Sequence, residues 1–242
     1  MNTNAYADVG VCAQAVARNG YCFVDGLTMR AWLAAHASLD DWAAFADSWN
    51  ELGPDEYLAA HGRQRRRRHG VWTWRRGELV REVHQPHYQA LAYNALQGDI
   101  ERWFEPITEA VGTSEAMRVV LRFATTFFGS LVPQVARWHV EVHQFRIEAA
   151  SDAPGEPTPE GVHRDGVDYV LVLMIDRHNI ASGTTTIHAP DGTTLGSFTL
   201  TQPLDAALLD DSRVHHGVTP VLPLDPDKPA HRDVLVLTLR RA

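Results

Sequence analysis

Two patterns of hydrophobic and polar positions divide the chain. From residue 8 to about residue 125, apolar side chains recur mostly three and four positions apart, the spacing of one helix face. From Trp138 onward they alternate with polar residues or form short continuous runs rich in β-branched residues, as strands do. We therefore predict a mainly helical part followed by a strand-rich part.

The helical part has start and stop signals as well as periodicity. Asn19-Gly20 ends the first predicted helix, and Ser38 is a suitable N-cap for a later one. A short strand is predicted at 21–24. The predicted helices are 7–19, 29–36, 39–49, 98–111 and 114–125.

The strand-rich part consists of short apolar segments separated by turn sequences. The predicted strands are 140–147, 169–175, 184–189, 197–201, 206–209 and 234–239. Many short strands at close spacing are typical of a sandwich or a jelly roll. We predict one α+β domain over residues 1–242, in which residues 1–137 form a mainly helical support and a possible lid and residues 138–242 form the β core.

Composition and charge exclude some functions. The chain has 22 Lys and Arg against 30 Asp and Glu, a formal net charge of −8, which argues against binding nucleic acid. No run of about eighteen apolar residues occurs, so no membrane segment is predicted. The N-terminus lacks the basic and apolar regions of a signal peptide. We expect a cytoplasmic protein that binds neither nucleic acid nor membrane, and the sequence leaves the oligomeric state open, with a homodimer as one option.

The two cysteines, Cys12 and Cys22, both lie in apolar stretches near the N-terminus. Since the chain has no second pair, neither a disulfide framework nor a cysteine zinc site is indicated. We expect free, largely buried thiols.

The pair His163-x-Asp165 is the first candidate for chemistry. On an extended segment, residues two apart face the same side, so one imidazole and one carboxylate can reach a single ion. A bare His-x-Asp is weak, because 13 histidines and 30 acidic residues produce such pairs by chance. Alone, it is better explained as a loop histidine beside an aspartate that caps a turn.

Two later features strengthen the metal interpretation. His215 and His216 follow several predicted strands, and because they are adjacent on an extended chain only one of them can face the same ion. Two histidines and one carboxylate form a set that divalent iron accepts with three positions open. Arg232 opens the last predicted strand and could pair bidentately with a carboxylate, although a single arginine is more often an ordinary surface residue.

At this point the sequence resembles a known family, the bacterial 2-oxoglutarate/Fe(II) dioxygenases that hydroxylate free L-amino acids, such as isoleucine 4-hydroxylases. The strings that carry the resemblance are RQRRRRHG (63–70), YNALQGDIERWFEPI (93–107), EVHQFRIEA (141–149), PEGVHRDGVDYV (159–170), LDDSRVHHGVTPV (209–221) and HRDVLVLTL (231–239). It covers most of the chain.

The resemblance implies a double-stranded β-helix of the jelly-roll or cupin type, with the iron site in its core. It implies that His163, Asp165 and His216 bind Fe(II), and it favours His216 over His215 because the histidine before the glycine is the ligand in this family. It further implies that Arg232 binds the distal carboxylate of 2-oxoglutarate, and that O2 is the other co-substrate. Asp168, Asp210 and Asp211 are candidates for supporting the ligands, with helix caps or surface carboxylates as the simpler explanation.

The substrate implied is a small-molecule amino acid. The polar residues of the strand at 140–147 are candidates for contacting it: Glu141 and His143 share one face, whereas Gln144 and Arg146 share the other, and only one pair can point inward. The run Arg65–Arg68 is most simply an exposed basic strand or loop, but one of its arginines could reach the amino-acid carboxylate. Two alternatives stay open, namely a cyclic, peptide- or carrier-bound amino acid, and a non-enzymatic β-sandwich that binds a metal or small ligand.

Overall fold

The computed structural model describes residues 8–60, 65–91, 93 and 98–242. Its helices are α1 (Val9–Asn19), α2 (Gly26–Ala34), α3 (Trp42–Asp47), α4 (Glu56–Ala59), α5 (Glu109–Gly112) and α6 (Glu115–Leu131), with a 3-10 turn at Ser48–Glu51. Its strands are β1 (Tyr21–Val24), β2 (Arg65–Arg75), β3 (Glu78–Arg81), β4 (His87–Tyr88), β5 (Glu101–Arg102), β6 (Arg137–Ala149), β7 (Tyr169–His178), β8 (Ile180–Ser182), β9 (Thr184–His188), β10 (Thr194–Thr199), β11 (Ala206–Asp210), β12 (His215–Val218), β13 (Val221–Pro223) and β14 (Ala230–Arg241).

A large antiparallel sheet organises the described part of the chain. Its seven strands lie in the order β1-β11-β7-β14-β6-β2-β3. The long strand β14 is central and pairs with β6 on one side and β7 on the other. A three-stranded sheet, β10-β9-β12, and the pair β13-β8 are formed by the shorter segments between β7 and β14. The fold is therefore mixed, with helices and a large antiparallel sheet.

The two faces of the large sheet have different partners. On one face, residues such as Trp138, Leu171 and Leu237 join one hydrophobic cluster with buried residues of the N-terminal helices and α6. On the other face, Val170 and Val234 join a second cluster with residues of the smaller sheets. Side chains alternate along each strand, so β6, β7 and β14 each contribute to both clusters. Any site between the sheets must lie on the second face.

Helix α6, the longest of these helices, packs in the first hydrophobic cluster and has a well-capped N-terminus. Ser114 is its N-cap, with Oγ accepting from Met117 N. The carboxylate of Asp41 accepts hydrogen bonds from Glu115 N and Ala116 N, so it satisfies two further free donors of the first turn. Helices α1 and α6 and strand β1 agree with the predictions. In the described part of the chain, no helix is long and apolar enough to cross a membrane.

The prediction of a helix over 98–111 is wrong. Instead β5 occupies Glu101–Arg102, and α5 begins only at Glu109. Between them the chain runs beside β2, because His69 N donates to Glu105 O and Ile107 N donates to His69 O. Pro106, which cannot donate within a helix, lies in this stretch. Tertiary pairing and proline therefore outweigh the helical spacing of the apolar residues.

Strands β2 and β3 lie in the part of the chain predicted to be mainly helical. The arginine run hides the alternation of β2, in which Arg67 and His69 are buried and Arg66 is exposed. The interpretation of 65–68 as a basic strand is confirmed, but the expectation that the run is exposed is wrong for Arg67. Residues 63–64 and 94–97 of the strings that carry the family resemblance, and residue 7 of the first predicted helix, lie outside the described residues.

The expectation of free thiols is also wrong. Cys12 of α1 and Cys22 of β1 form a disulfide, and both residues are fully buried. The chain reverses at Gly20, which has φ 84°. This reversal brings the two Cα atoms to 5.8 Å, a separation that a disulfide can bridge.

Candidate metal centre

His163, Asp165 and His216 converge at one end of the space between the sheets. One donor atom from each lies within 4.8 Å of the others. The carboxylate stands between the two rings: Asp165 Oδ1 is 3.7 Å from His163 Nε2, and Asp165 Oδ2 is 3.7 Å from His216 Nε2. A divalent cation could bind between these three groups, and such a set leaves coordination positions open.

The backbone determines how the two histidines face each other. His163 lies on an extended segment outside the named strands, and it forms an antiparallel bridge with His216 of β12. Gly217 eases this approach, since a Cβ there would lie 3.0 Å from Val162 Cγ2 and that side chain would have to move by a few tenths of an ångström. Close packing against Val162 therefore favours a glycine directly after His216.

Two of the three candidate ligands, His216 and Asp165, are in the protonation state that a metal requires, whereas His163 carries a proton at neutral pH. His163 Nδ1 donates to Gly161 O at 3.0 Å, which leaves Nε2 facing Glu160 Oε1 at 3.2 Å and Asp165 Oδ1 at 3.7 Å. Burial lowers the pKa of His163, but its hydrogen bond to Asp165 and the charges of Asp165 and Glu160 outweigh burial and raise that pKa to about 9. Burial, followed by the His163 charge, lowers the pKa of His216 to about 4. Burial opposes ionisation of Asp165, yet the two imidazoles lower its pKa to about 2. A divalent cation would compete with the His163 proton.

His215, the alternative ligand, points elsewhere. It is paired with His188 of β9, and as the neighbour of His216 on a strand it occupies the opposite face. His216 lines the cavity described below. The structure therefore brings His163, Asp165 and His216 together and leaves His215 out of the group.

Asp211 supports the loop that carries Asp165. Its carboxylate is fully buried and accepts hydrogen bonds from Asp165 N (3.0 Å), Gly166 N (2.8 Å) and Val167 N (3.1 Å). Burial and the nearby charge of Asp165 raise the pKa of Asp211 to about 7. The carboxylates of the other two candidates have different partners. Asp210 accepts hydrogen bonds from Ser212, and Asp168 forms an ion pair with Arg241.

Arg232 of β14 faces the same cavity as the three candidate ligands. It is 3% exposed, and among the described residues its Nε and Nη2 have no hydrogen-bond partner. Burial, followed by repulsion from Arg177, lowers the pKa of Arg232 to about 10. A buried unpaired guanidinium is costly, so the position is suited to a ligand carboxylate that enters the cavity.

The cavity itself has a volume of about 470 Å³ and extends from the three candidate ligands to the wall formed by β2 and β6. On β6 the side chains that face it include Glu141, His143 and Phe145. On β2 they include Arg65 and Arg67. One continuous cavity is therefore lined by Arg232, by the three candidate ligands and by the polar side chains of β2 and β6.

Gln144 and Arg146 lie on the other face of β6. Gln144 Nε2 donates to Ser48 Oγ at 3.0 Å, and Arg146 binds Asp233 through two hydrogen bonds of 2.8 and 2.6 Å. Of the four polar candidates on this strand, Glu141 and His143 are thus the pair that points inward. Gln144 and Arg146 do not line the cavity, so the expectation that they contact the substrate is not supported.

Two histidines at the polar wall were not singled out from the sequence. His69 of β2 and His87 of β4 both contact Glu141 Oε2, at 2.9 and 2.5 Å. His69 could have been found from the alternation of β2, because it faces the same way as Arg65 and Arg67. His87 comes from a two-residue strand with no periodicity to reveal its direction.

Comparison with known proteins gives a family. The family model described as 2OG-Fe dioxygenase matches residues 46–238. The 3(1)-hydroxy-L-isoleucine 4-dioxygenase of Pantoea ananatis (strain AJ13355) is 26% identical, over 93% of this chain and 94% of that protein. The crystal structure of a bsmA homolog from Methylobium petroleophilum PM1 is 36% identical, with a TM-score of 0.89 over 100% of this chain and 97% of that one. The crystal structure of IDO from Bacillus thuringiensis, at 16% identity and a TM-score of 0.78, covers 97% of this chain and 100% of that one and supports the fold.

Proposed function

The chain belongs to the 2OG-Fe dioxygenase family, and from that premise we propose that it hydroxylates an unactivated C–H bond of a free L-amino acid. As a member of this family it is an oxidoreductase that uses Fe(II), 2-oxoglutarate and O2. The observation that carries the proposal is the buried Arg232 guanidinium, without a partner among the described residues, in the same cavity as a His-Asp-His group. One feature fits a dicarboxylate and the other fits iron.

We propose definite roles for these residues. His163, Asp165 and His216 hold Fe(II), and Arg232 binds the distal carboxylate of 2-oxoglutarate through a paired contact. Asp211 holds the backbone of Asp165 and so fixes the direction of that ligand. The family resemblance, the approach of His163 to His216 and the direction of His215 all support His216 as the second histidine ligand.

The bound iron, 2-oxoglutarate and O2 supply the oxidation itself: decarboxylation of 2-oxoglutarate to succinate and CO2, with one oxygen atom inserted into a substrate C–H bond. The protein contributes orientation and exclusion of water. Apolar side chains of the large sheet also line the cavity, among them Val170, Leu209 and Val234. In such surroundings the charge pairs of the site are stronger than they would be in water.

The free amino acid is supported by two observations. The relative from Pantoea ananatis is named for an oxidation of a hydroxylated L-isoleucine. The polar wall at β2 and β6 presents both a cation, Arg67, and an anion, Glu141, to the cavity. A free α-amino acid carries both complementary charges.

We also propose that residues 1–242 work as one oxygenase domain with a double-stranded β-helix at its core. Strands β2 and β3 complete the same sheet as β6, β14 and β7, so the part before residue 138 contributes to the core and to the cavity. The smaller sheets cover the second face of the large sheet, which is the arrangement that a jelly roll requires.

A substrate screen tests the proposal. The purified protein is reconstituted with Fe(II) under anaerobic conditions and given 2-oxoglutarate, a panel of free L-amino acids and air, and products are read by mass spectrometry. We expect one amino acid to gain a single oxygen atom only when both Fe(II) and 2-oxoglutarate are present. Hydroxylation of peptidyl or carrier-bound residues alone would contradict the free-substrate proposal while preserving the family chemistry.

A further inference from the structure

The polar wall of the cavity carries opposite charges on either side of one imidazole. Arg67 Nη2 is 2.7 Å from His143 Nδ1, and Glu141 Oε2 is 3.9 Å from His143 Nε2. Arg67 lies on β2, whereas Glu141 and His143 lie two residues apart on the neighbouring strand β6. The cation and the anion are therefore separated by about the width of a histidine ring.

Arg67 has bonding capacity to spare. Its nearest carboxylate, Asp55, already accepts two hydrogen bonds from Arg65, at 3.0 and 2.7 Å, and stands 3.6 Å from Arg67 Nη1. Arg67 Nε has no hydrogen-bond partner in the described part of the chain. The guanidinium is 3% exposed and lies over the Phe104 ring at 3.4 Å, which fixes its plane. A fixed, incompletely paired guanidinium that faces a cavity is suited to a carboxylate.

Glu141 is held as an anion. Burial raises its pKa, but hydrogen bonds from His139, His69 and His87 outweigh burial and keep that pKa well below the usual range. The contacts are uneven: Oε2 has the two close histidines, whereas Oε1 has His139 at 3.4 Å. Glu141 Oε1 can therefore accept a strong hydrogen bond from an ammonium group in the cavity.

A second metal ion is the competing interpretation of this wall, since His69, His87, Glu141 and His143 offer donor atoms within 4.8 Å of one another. The hydrogen bond from Arg67 argues against it. Because a guanidinium can only donate, His143 Nδ1 must accept, and a neutral His143 then carries its proton on Nε2, the atom nearest Glu141. That nitrogen cannot bind a metal in this state. The positive charge of Arg67 further disfavours a second cation beside it.

Building on the proposed function, we propose that this wall is a zwitterion-binding subsite, in which Arg67 binds the α-carboxylate and Glu141 binds the α-ammonium of a free amino acid. The side chain then extends along the cavity towards His163, Asp165 and His216. The subsite defines a substrate class, because an amide or thioester in place of the carboxylate leaves Arg67 without its anion. Peptidyl and carrier-bound residues are thus rejected.

Binding measurements on paired probes test the subsite. After the amino acid with the highest affinity is found among free L-amino acids, calorimetry is done on the anaerobic Fe(II)/2-oxoglutarate protein with that amino acid, its α-amide and its N-acetyl derivative. We expect each derivative to bind about 10- to 100-fold more weakly than the free amino acid, the loss typical of a charged hydrogen bond.

Two variants assign each charge to its residue. Arg67→Met should weaken binding of the free amino acid about 10- to 100-fold and leave the already weak binding of the α-amide unchanged. Glu141→Gln should likewise weaken binding of the free amino acid and leave the already weak binding of the N-acetyl derivative unchanged. Arg66→Met and Glu148→Gln are matched controls, since these residues pair with each other on the outer faces of the same two strands. The controls should leave all affinities unchanged.

The outcomes separate this inference from the proposed function. If a free amino acid is hydroxylated but its α-amide binds equally well, or if Arg67→Met weakens both probes equally, the subsite is wrong and the proposed function stands. If only peptidyl or carrier-bound residues are hydroxylated, the zwitterion-binding subsite and the proposed free amino-acid substrate are both wrong. A second Fe(II) or Zn²⁺ per chain that disappears in Glu141→Gln would also overturn the subsite. If Arg67→Met does not fold, the affinities of the unaltered protein for the three probes still show whether both charges of the amino acid are recognised.

Discussion

His163 and His216 exchange two backbone hydrogen bonds of 2.9 Å, each donating its N–H to the carbonyl oxygen of the other. Their rings lie 4.6 Å apart between centroids as a consequence. The spacing of two proposed iron ligands is therefore set by the backbone of β12 and the segment beside it, before any ion binds. Such a site needs little rearrangement to accept a metal.

Substitution of the adjacent histidines should separate ligand from neighbour. We expect His216→Ala to abolish stoichiometric Fe(II) binding, because one of three protein ligands is lost, and His215→Ala to retain most of it. Anaerobic metal titration of the two variants measures this directly. If the His215 variant lost the metal and the His216 variant kept it, the assignment would have to be exchanged.

Replacing Arg232 should affect stability and binding in opposite directions. Arg232→Met removes a buried unpaired charge, so we expect the free energy of unfolding without ligand to rise by about 1–4 kcal/mol. The same change should weaken 2-oxoglutarate binding by about 2–5 kcal/mol, through loss of the paired carboxylate. Urea unfolding and calorimetry give the two quantities.

Arg146→Met is the matched control for Arg232. It lies in the same sheet but pairs with the buried Asp233 on the other face. We expect it to lower the free energy of unfolding, since Asp233 loses its partner, and to leave 2-oxoglutarate affinity unchanged. Unaltered 2-oxoglutarate affinity in Arg232→Met would show that another cation binds the co-substrate.

Asp211 should influence the metal without touching it. Asp211→Ala frees three backbone N–H groups that hold the Asp165 loop, so we expect Fe(II) affinity to fall about 10- to 100-fold. Asp210→Ala is the control, because the carboxylate of Asp210 accepts hydrogen bonds from Ser212 in its own turn, and this variant should retain wild-type affinity. Equal effects of the two changes on the metal titration would count against a supporting role for Asp211.

The metal-free protein should lose stability as the pH falls from about 6.5 to about 4. Burial lowers the pKa of His69 from 6.5 to about 4 although Glu141 opposes this shift. In that pH window the unfolded chain takes up a proton that the folded chain does not, so unfolding becomes more favourable, by about 3 kcal/mol at pH 4 for His69 alone. Burial lowers the pKa of His87, His143 and His216 as well, which acts in the same direction. The raised pKa of Asp211, about 7, acts in the opposite direction, because the folded chain takes up that proton first.

Urea unfolding in the presence of a chelator, at about pH 7 and about pH 4.5, measures this dependence. His69→Gln should reduce the pH dependence, whereas His178→Gln, an exposed control, should leave it unchanged. If His69→Gln and the unaltered protein lost the same stability between these two pH values, burial would not lower the pKa of His69 in the folded protein.

The sequence indicated the mixed helix and sheet fold and the residues that converge at the candidate metal centre better than it indicated their surroundings. His163, Asp165 and Arg232 lie on extended segments, where a local spacing rule predicts direction. His216 needed the family resemblance, because alternation alone cannot say which of two adjacent histidines faces inward. The inward direction of Glu141 and His143 likewise depends on which face of β6 the helices cover, and periodicity does not contain that information.

Other features depend on contacts between distant parts of the chain. The segment around Pro106 is extended because it pairs with His69 of β2, and the polar wall exists because β2, β4 and β6 meet there. Cys12 and Cys22 meet because the chain reverses between α1 and β1. None of these pairings leaves a local pattern that a single sequence could disclose.

A product balance with isotopically labelled O2 tests most directly whether the protein hydroxylates a free amino acid. The reconstituted protein, Fe(II), 2-oxoglutarate and the best free amino acid are incubated under ¹⁸O₂, and succinate and hydroxylated product are quantified together. We expect equal amounts of succinate and hydroxylated product, with label in the new hydroxyl group, and neither above background in Asp165→Ala. Succinate without any oxygenated amino acid, from every free amino acid tried, would contradict the claim that a free amino acid is the substrate.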